Sequence, residues 1–145
     1  SDNILVSMRR IIEVGNIDDI AYSDEGILKT RGVHGCTAVM IYGETPKHHG
    51  ILGHYTQASN NKFFSDFKDF AEVFDGRKNS GVIIYSQDLD IELLDEVKDF
   101  LSNKIPNIKI SEFPYNRKYS GSGEVVLDID RGEWKAWFNR KPKRF

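Results

Sequence analysis

The chain has 145 residues, 39% of them hydrophobic and 12 of them glycine, with 20 Lys plus Arg against 22 Asp plus Glu for a net charge of −2. This length suits one domain with its own core and rules out two large ones, and the charge lacks the basic excess of a nucleic-acid binder. Cys36 is the single cysteine, which sets aside the disulfide-framework class and favours a reducing compartment; with no apolar run of about 18 residues, the expectation is a soluble, cytoplasmic protein without membrane insertion.

Residues 4–14 mix short apolar runs with β-branched residues and suggest a strand, and the rest of residues 1–25 carries no pattern that fixes a role. Ile27–Val33 and Thr37–Tyr42, divided by Gly32 and Gly35, are expected as two strands around a turn. A loop over residues 45–50 then leads to a strand at Ile51–Tyr55, in hairpin fashion. Phe63, Phe64, Phe67, Phe70, Ala71 and Phe74 recur at helical spacing, with Asn61 or Ser65 as N-cap and Gly76 as a stop, so the aromatic stripe is expected to be a core face. Gly81–Tyr85 is a continuous apolar run that fits a central strand covered on both faces.

Leu89–Lys104 has the period of a helix that Pro106 ends. Ile108–Ile110 and Glu124–Ile129 are expected as strands, with a last one at Trp134–Phe138 after the Asp130-Arg131-Gly132 turn. Residues 131–145 hold six basic side chains and one acidic one, a local +5. The basic tail at 139–145 is either a solvated end or a contact for an acidic partner surface.

Two groupings of residues offer chemistry. His48, His49 and His54 are the starting point for a metal site, but adjacent strand residues point to opposite faces and no thiol or carboxylate joins them at a recognised interval, so neither metal nor cofactor is expected. Cys36 and His54, 18 residues apart, come together if the intervening segments form a hairpin. A histidine beside a thiol makes cysteine a nucleophile, the Thr30 hydroxyl would accept an imidazole N–H and fix the ring, and the backbone N–H groups of Gly35 and Cys36 would stabilise an oxyanion. By spacing alone, such lone Cys and His residues are more often structural.

At these residues the chain resembles the CheD family of chemoreceptor glutamine deamidases. Thr30-Arg31-Gly32-Val33-His34-Gly35-Cys36 followed by Thr37–Tyr42 carries the family's Thr and Cys, and Gly50-Ile51-Leu52-Gly53-His54 carries its His. Gly81–Tyr85 with the following helix, and Gly121-Ser122-Gly123-Glu124-Val125-Val126, are similar to later parts of the family, so the resemblance spans residues 26–138. Two departures flank the pair and bear on which protein is the substrate: His34-Gly35-Cys36 replaces the family's Gly-Ser-Cys, and Tyr55–Ser59 replaces an apolar segment ending in proline.

The resemblance implies an α/β (α+β) single domain of layered mixed β-sheets with two main helices, related in fold to the catalytic domains of cytotoxic necrotizing factors. It implies a hydrolase acting in chemotaxis, in which Cys36 attacks a protein glutamine, His54 serves as acid and base, Thr30 orients His54, and a thioester is hydrolysed to glutamate with loss of ammonia. An amine replacing water would make it a transglutaminase. Its partners would be a protein with an exposed glutamine and a regulatory phosphatase. The alternatives are a non-catalytic binding module on the same fold and a metal-binding protein.

Overall fold

The computed structural model describes residues 9–56 and 60–140. Its elements are β1 (Ile11–Val14), β2 (Asp19–Ser23), β3 (Ile27–Val33), β4 (Cys36–Gly43), β5 (His49–Thr56), α1 (Asn60–Lys68), a 3-10 turn (Ala71–Phe74), β6 (Asn79–Ser86), α2 (Ile91–Lys104), β7 (Ile108–Tyr115), β8 (Ser120–Asp128) and β9 (Glu133–Arg140). The strands form two mixed sheets, one ordered β1-β3-β8-β9 and the other β2-β5-β4-β6-β7. With two helices, this is the mixed α+β architecture expected from the sequence.

Every residue of β4 is buried, and its side chains alternate between two cores. Ala38, Met40 and Tyr42 enter the layer between the sheets, where they meet Leu28, Val125 and Leu127. Val39 and Ile41 face the other way, toward Phe63, Phe67, Leu94, Val97 and Leu101 of the helices. The layers therefore run four-stranded sheet, five-stranded sheet, helices. The aromatic stripe is a core face: Phe100 of α2 lies 4.6 Å from Phe64 and 5.6 Å from Phe67 between ring centroids. The β6-to-β7 connection is parallel, and α2 supplies its crossover, begun by the Asp90 carboxylate accepting from the Glu92 N–H at 2.9 Å.

Several boundaries differ from the sequence expectation, each for a tertiary reason. β3 and β4 are consecutive but belong to different sheets, so the glycine turn is a crossing and not a hairpin; β4 and β5 do form the expected hairpin. The aromatic helix stops at Lys68, and the chain tightens into the 3-10 turn that seats fully buried Phe74 4.9 Å from the His49 ring. Neither Asn61 nor Ser65 caps that helix, since both lie inside it.

β2 has no alternating apolar pattern and exists through pairing with β5, and β7 runs on through Pro114, which an edge strand tolerates. β1 falls within the strand expected at 4–14, whose residues 4–8 lie outside the described ones, while β2 lies in the unassigned stretch; each is an edge strand of its sheet. Asn139 and Arg140 belong to β9 and not to a tail, and residues 141–145 lie outside the described residues.

Asn79 shows how the ends of the layers are tied. Its side-chain NH2 lies 3.1, 3.1 and 2.9 Å from the carbonyls of Phe74, Gly76 and Pro106, two N–H groups shared among three acceptors, and joins β6 to both helix-layer connections. Replacement by alanine strands these carbonyls, so Asn79→Ala should lower the unfolding free energy by about 2–3 kcal/mol, measured by urea denaturation.

Candidate functional site

The glycine crossing from β3 to β4 places Cys36 at the start of β4. Gly32 and Gly35 have φ of 74° and 73°, the left-handed region that glycine enters without strain. Cys36 is opposite Thr56 in the β4–β5 ladder, and His54 is opposite Ala38. Cys36 and His54 are therefore diagonal neighbours on one face, the face that looks onto the four-stranded sheet.

Thr30 reaches His54 from that opposite sheet. Its hydroxyl donates to the Val14 carbonyl at 2.9 Å and lies 2.8 Å from His54 Nδ1. A hydroxyl has one proton, so with that proton given to Val14 the oxygen can only accept, and Nδ1 must carry hydrogen. The lone pair of neutral His54 is then on Nε2, which is buried without a hydrogen-bond partner. Thr30 is fully buried and His54 is 3% exposed, so water does not compete for this chain of contacts. The structure thus brings Thr30 and His54 into contact and sets Cys36 beside them, with no hydrogen bond joining its sulfur to Nε2.

Two further residues belong to the site and have no motif in the sequence. The Tyr115 hydroxyl donates to the Cys36 carbonyl at 2.6 Å, and its ring stacks 4.4 Å from Phe138. Burial, followed by the adjacent Cys36, pushes its phenol up to about 12, while hydrogen bonding from the Cys36 and Gly35 backbone opposes the rise.

Asp18 is the second. Its N–H donates to the His54 carbonyl at 2.6 Å, and its carboxylate accepts from the Thr56 N–H at 3.2 Å. Its φ of 65° is a conformation that Asp adopts more readily than most side chains, and a polar turn residue was the only trace of this in the sequence.

Electrostatics set the resting state. Burial pushes the Cys36 thiol up, a hydrogen bond from the His34 backbone opposes this, and the Asp18 charge adds to it. Burial pulls the His54 imidazole down, partly offset by Asp18. The pair rests as thiol and neutral imidazole. Near the β3–β4 crossing a cleft of about 550 Å³ is lined by His34, Ser86, Asp88, Asn116 and Arg117, and neither Cys36 nor His54 lines it. Arg117 is held 2.7 Å from Asp88, which also binds the Ser86 hydroxyl.

The histidines considered for a metal do not converge. His48 Nδ1 lies 3.2 Å from the Ile129 carbonyl with its ring against Tyr42, whereas His49 donates to the Lys47 carbonyl at 2.7 Å and stacks on Phe74. Among the described residues no three His, Cys, Asp or Glu side chains gather into a metal site. No helix among them is long and apolar enough to cross a membrane. Comparison with known proteins finds no family model that matches the chain and no curated protein that matches it.

Two predictions follow from burial and charge at this site. Because His54 is held below its ordinary value, its contribution to stability is present above about pH 6.5 and is lost as the pH falls toward the folded-state value. His54→Gln should accordingly flatten the acid side of the stability profile in urea unfolding. Since the Asp18 charge raises both groups, Asp18→Asn, which keeps the hydrogen-bond acceptor, should move the midpoint of Cys36 alkylation by iodoacetamide and the His54 NMR titration to lower pH.

Proposed function

We propose that this protein is a cysteine-dependent protein-glutamine deamidase of the CheD type. The observation that carries the reading is the chain Val14 carbonyl, Thr30 hydroxyl, His54 imidazole, which leaves an unpartnered Nε2 on the strand face that also carries Cys36. Together with the Thr30, Cys36 and His54 pattern, it supplies a nucleophile, a base and an orienting group, each in its role.

With thiol and imidazole both neutral at rest, His54 Nε2 takes the Cys36 proton as sulfur attacks the glutamine amide carbon. The imidazolium then gives that proton to the departing nitrogen, so the C–N bond breaks, ammonia leaves and a thioester remains. Water attacks the thioester with Nε2 as base, giving glutamate and the free thiol. Thr30 keeps Nδ1–H fixed throughout, and Asp18 offsets the burial cost of the imidazolium. The substrate is a protein with an exposed glutamine, and chemoreceptor-type helical domains are the first to test.

The test is mass spectrometry of such domains and of glutamine-containing peptides, in which each hydrolysed amide adds about 1 Da. Cys36→Ser should abolish the gain, and Thr30→Val, which keeps the shape and loses the tether, should lower the rate by about 10²-fold. The acid limb of the rate should lie below the ordinary imidazole value, because the base that must stay neutral is the downshifted His54. Absence of any Cys36-dependent mass gain would defeat the proposal.

The upward-shifted thiol, only 7% exposed, favours a second reading, a non-catalytic binding module. Alkylation of Cys36 at a rate indifferent to His54→Ala would decide for it.

A further inference from the structure

At the end of the inter-sheet layer away from Cys36, the two sheets part around a cleft of about 310 Å³. Its composition follows from strand register. Tyr42 of β4 is opposite Ser80 of β6, which is opposite Lys109 of β7, so two hydroxyls and an ammonium form a row across three strands. At about 4.8 Å per strand the row spans about 10 Å. One step deeper, Met40 and Val82 supply an apolar floor with Ser111 of β7 beside it, and Trp134 of β9, 37% exposed, supplies an aromatic wall.

The row is unspent. Among the described residues Lys109 has no carboxylate partner, and the Tyr42 and Ser80 hydroxyls have no hydrogen bond. Glu44 at the rim has a cation nearby, with its carboxylate 3.9 Å from Lys78. The β8–β9 turn roofs the row so closely that a Cβ on Gly132 would fall 2.7 Å from the Tyr42 oxygen; with φ of 63°, glycine is the residue that fits there. Three donors over an apolar floor and beside an indole match a ligand with one anionic end and a flat apolar body, and Glu44 disfavours a second negative charge.

We propose that this cleft binds a small monocarboxylate carrying a flat apolar ring, its carboxylate on Ser80 and Lys109 and its ring between Trp134 and the Met40–Val82 floor. The site is separate from Cys36, and binding does not depend on the chemistry proposed there. Burial, with Glu44 second, pushes the Tyr42 phenol up, so Tyr42 remains a donor.

The experiment uses 2-naphthoate and the fluorescence of Trp134 in a Trp137→Phe background, these being the two tryptophans of the chain. The expected result is saturable one-to-one quenching, retained in Cys36→Ser and weakened about tenfold by Lys109→Met, which keeps the exposed stem and removes the charge. The uncharged 2-naphthamide should bind about tenfold more weakly to the unmodified row and be indifferent to Lys109→Met. No saturable change up to the solubility limit of 2-naphthoate would overturn the proposal, as would an affinity that Lys109→Met leaves unchanged.

Discussion

Strand β4 is buried from end to end, and the rest of the molecule is arranged to cover it. A strand with both faces out of water needs a hydrogen-bonded neighbour on each edge and an apolar layer on each side. β5 and β6 supply the edges, the four-stranded sheet one layer and the two helices the other. Its side chains therefore belong to two cores at once, and a shift of register by one residue would exchange them. Cys36 is the first residue of this strand, so its environment is a consequence of how β4 is covered.

The polar link between the sheets is equally constrained. A buried imidazole is costly unless its hydrogens are accepted, and a buried hydroxyl is costly unless its proton is placed. Thr30 answers both needs, since it gives its proton to Val14 and takes one from His54. The contact joins β1 and β3 of one sheet to β5 of the other, so the orientation of the imidazole is set by the packing of the sheets. Only Nε2 is left over, and it is on the side chain that shares a face with Cys36.

Burial and charge oppose each other here. Burial alone keeps the thiol protonated and the imidazole neutral, and Asp18 acts on both, supporting an imidazolium while raising the thiol further. Under the proposed reaction, such a site would generate its thiolate during proton transfer rather than store it. At the other end of the same strand the inter-sheet layer opens, and the polar row of Tyr42, Ser80 and Lys109 replaces apolar contacts.

The fold class, the β4–β5 hairpin, β6 as a covered central strand and the α2 helix were legible in the sequence, because uninterrupted apolar runs and a helical period are local signals. Thr30, Cys36 and His54 were legible as residue types at a spacing. Only the tertiary structure decided that β3 and β4 belong to different sheets, that β2 is a strand at all, and that the aromatic helix gives way to a 3-10 turn at Phe74. It also brought Asp18 and Tyr115 to the site. These depend on contacts between residues far apart in the chain, such as Tyr115 with Cys36 and Thr30 with His54, and a hydrogen bond across two sheets leaves no periodicity in the sequence that makes it.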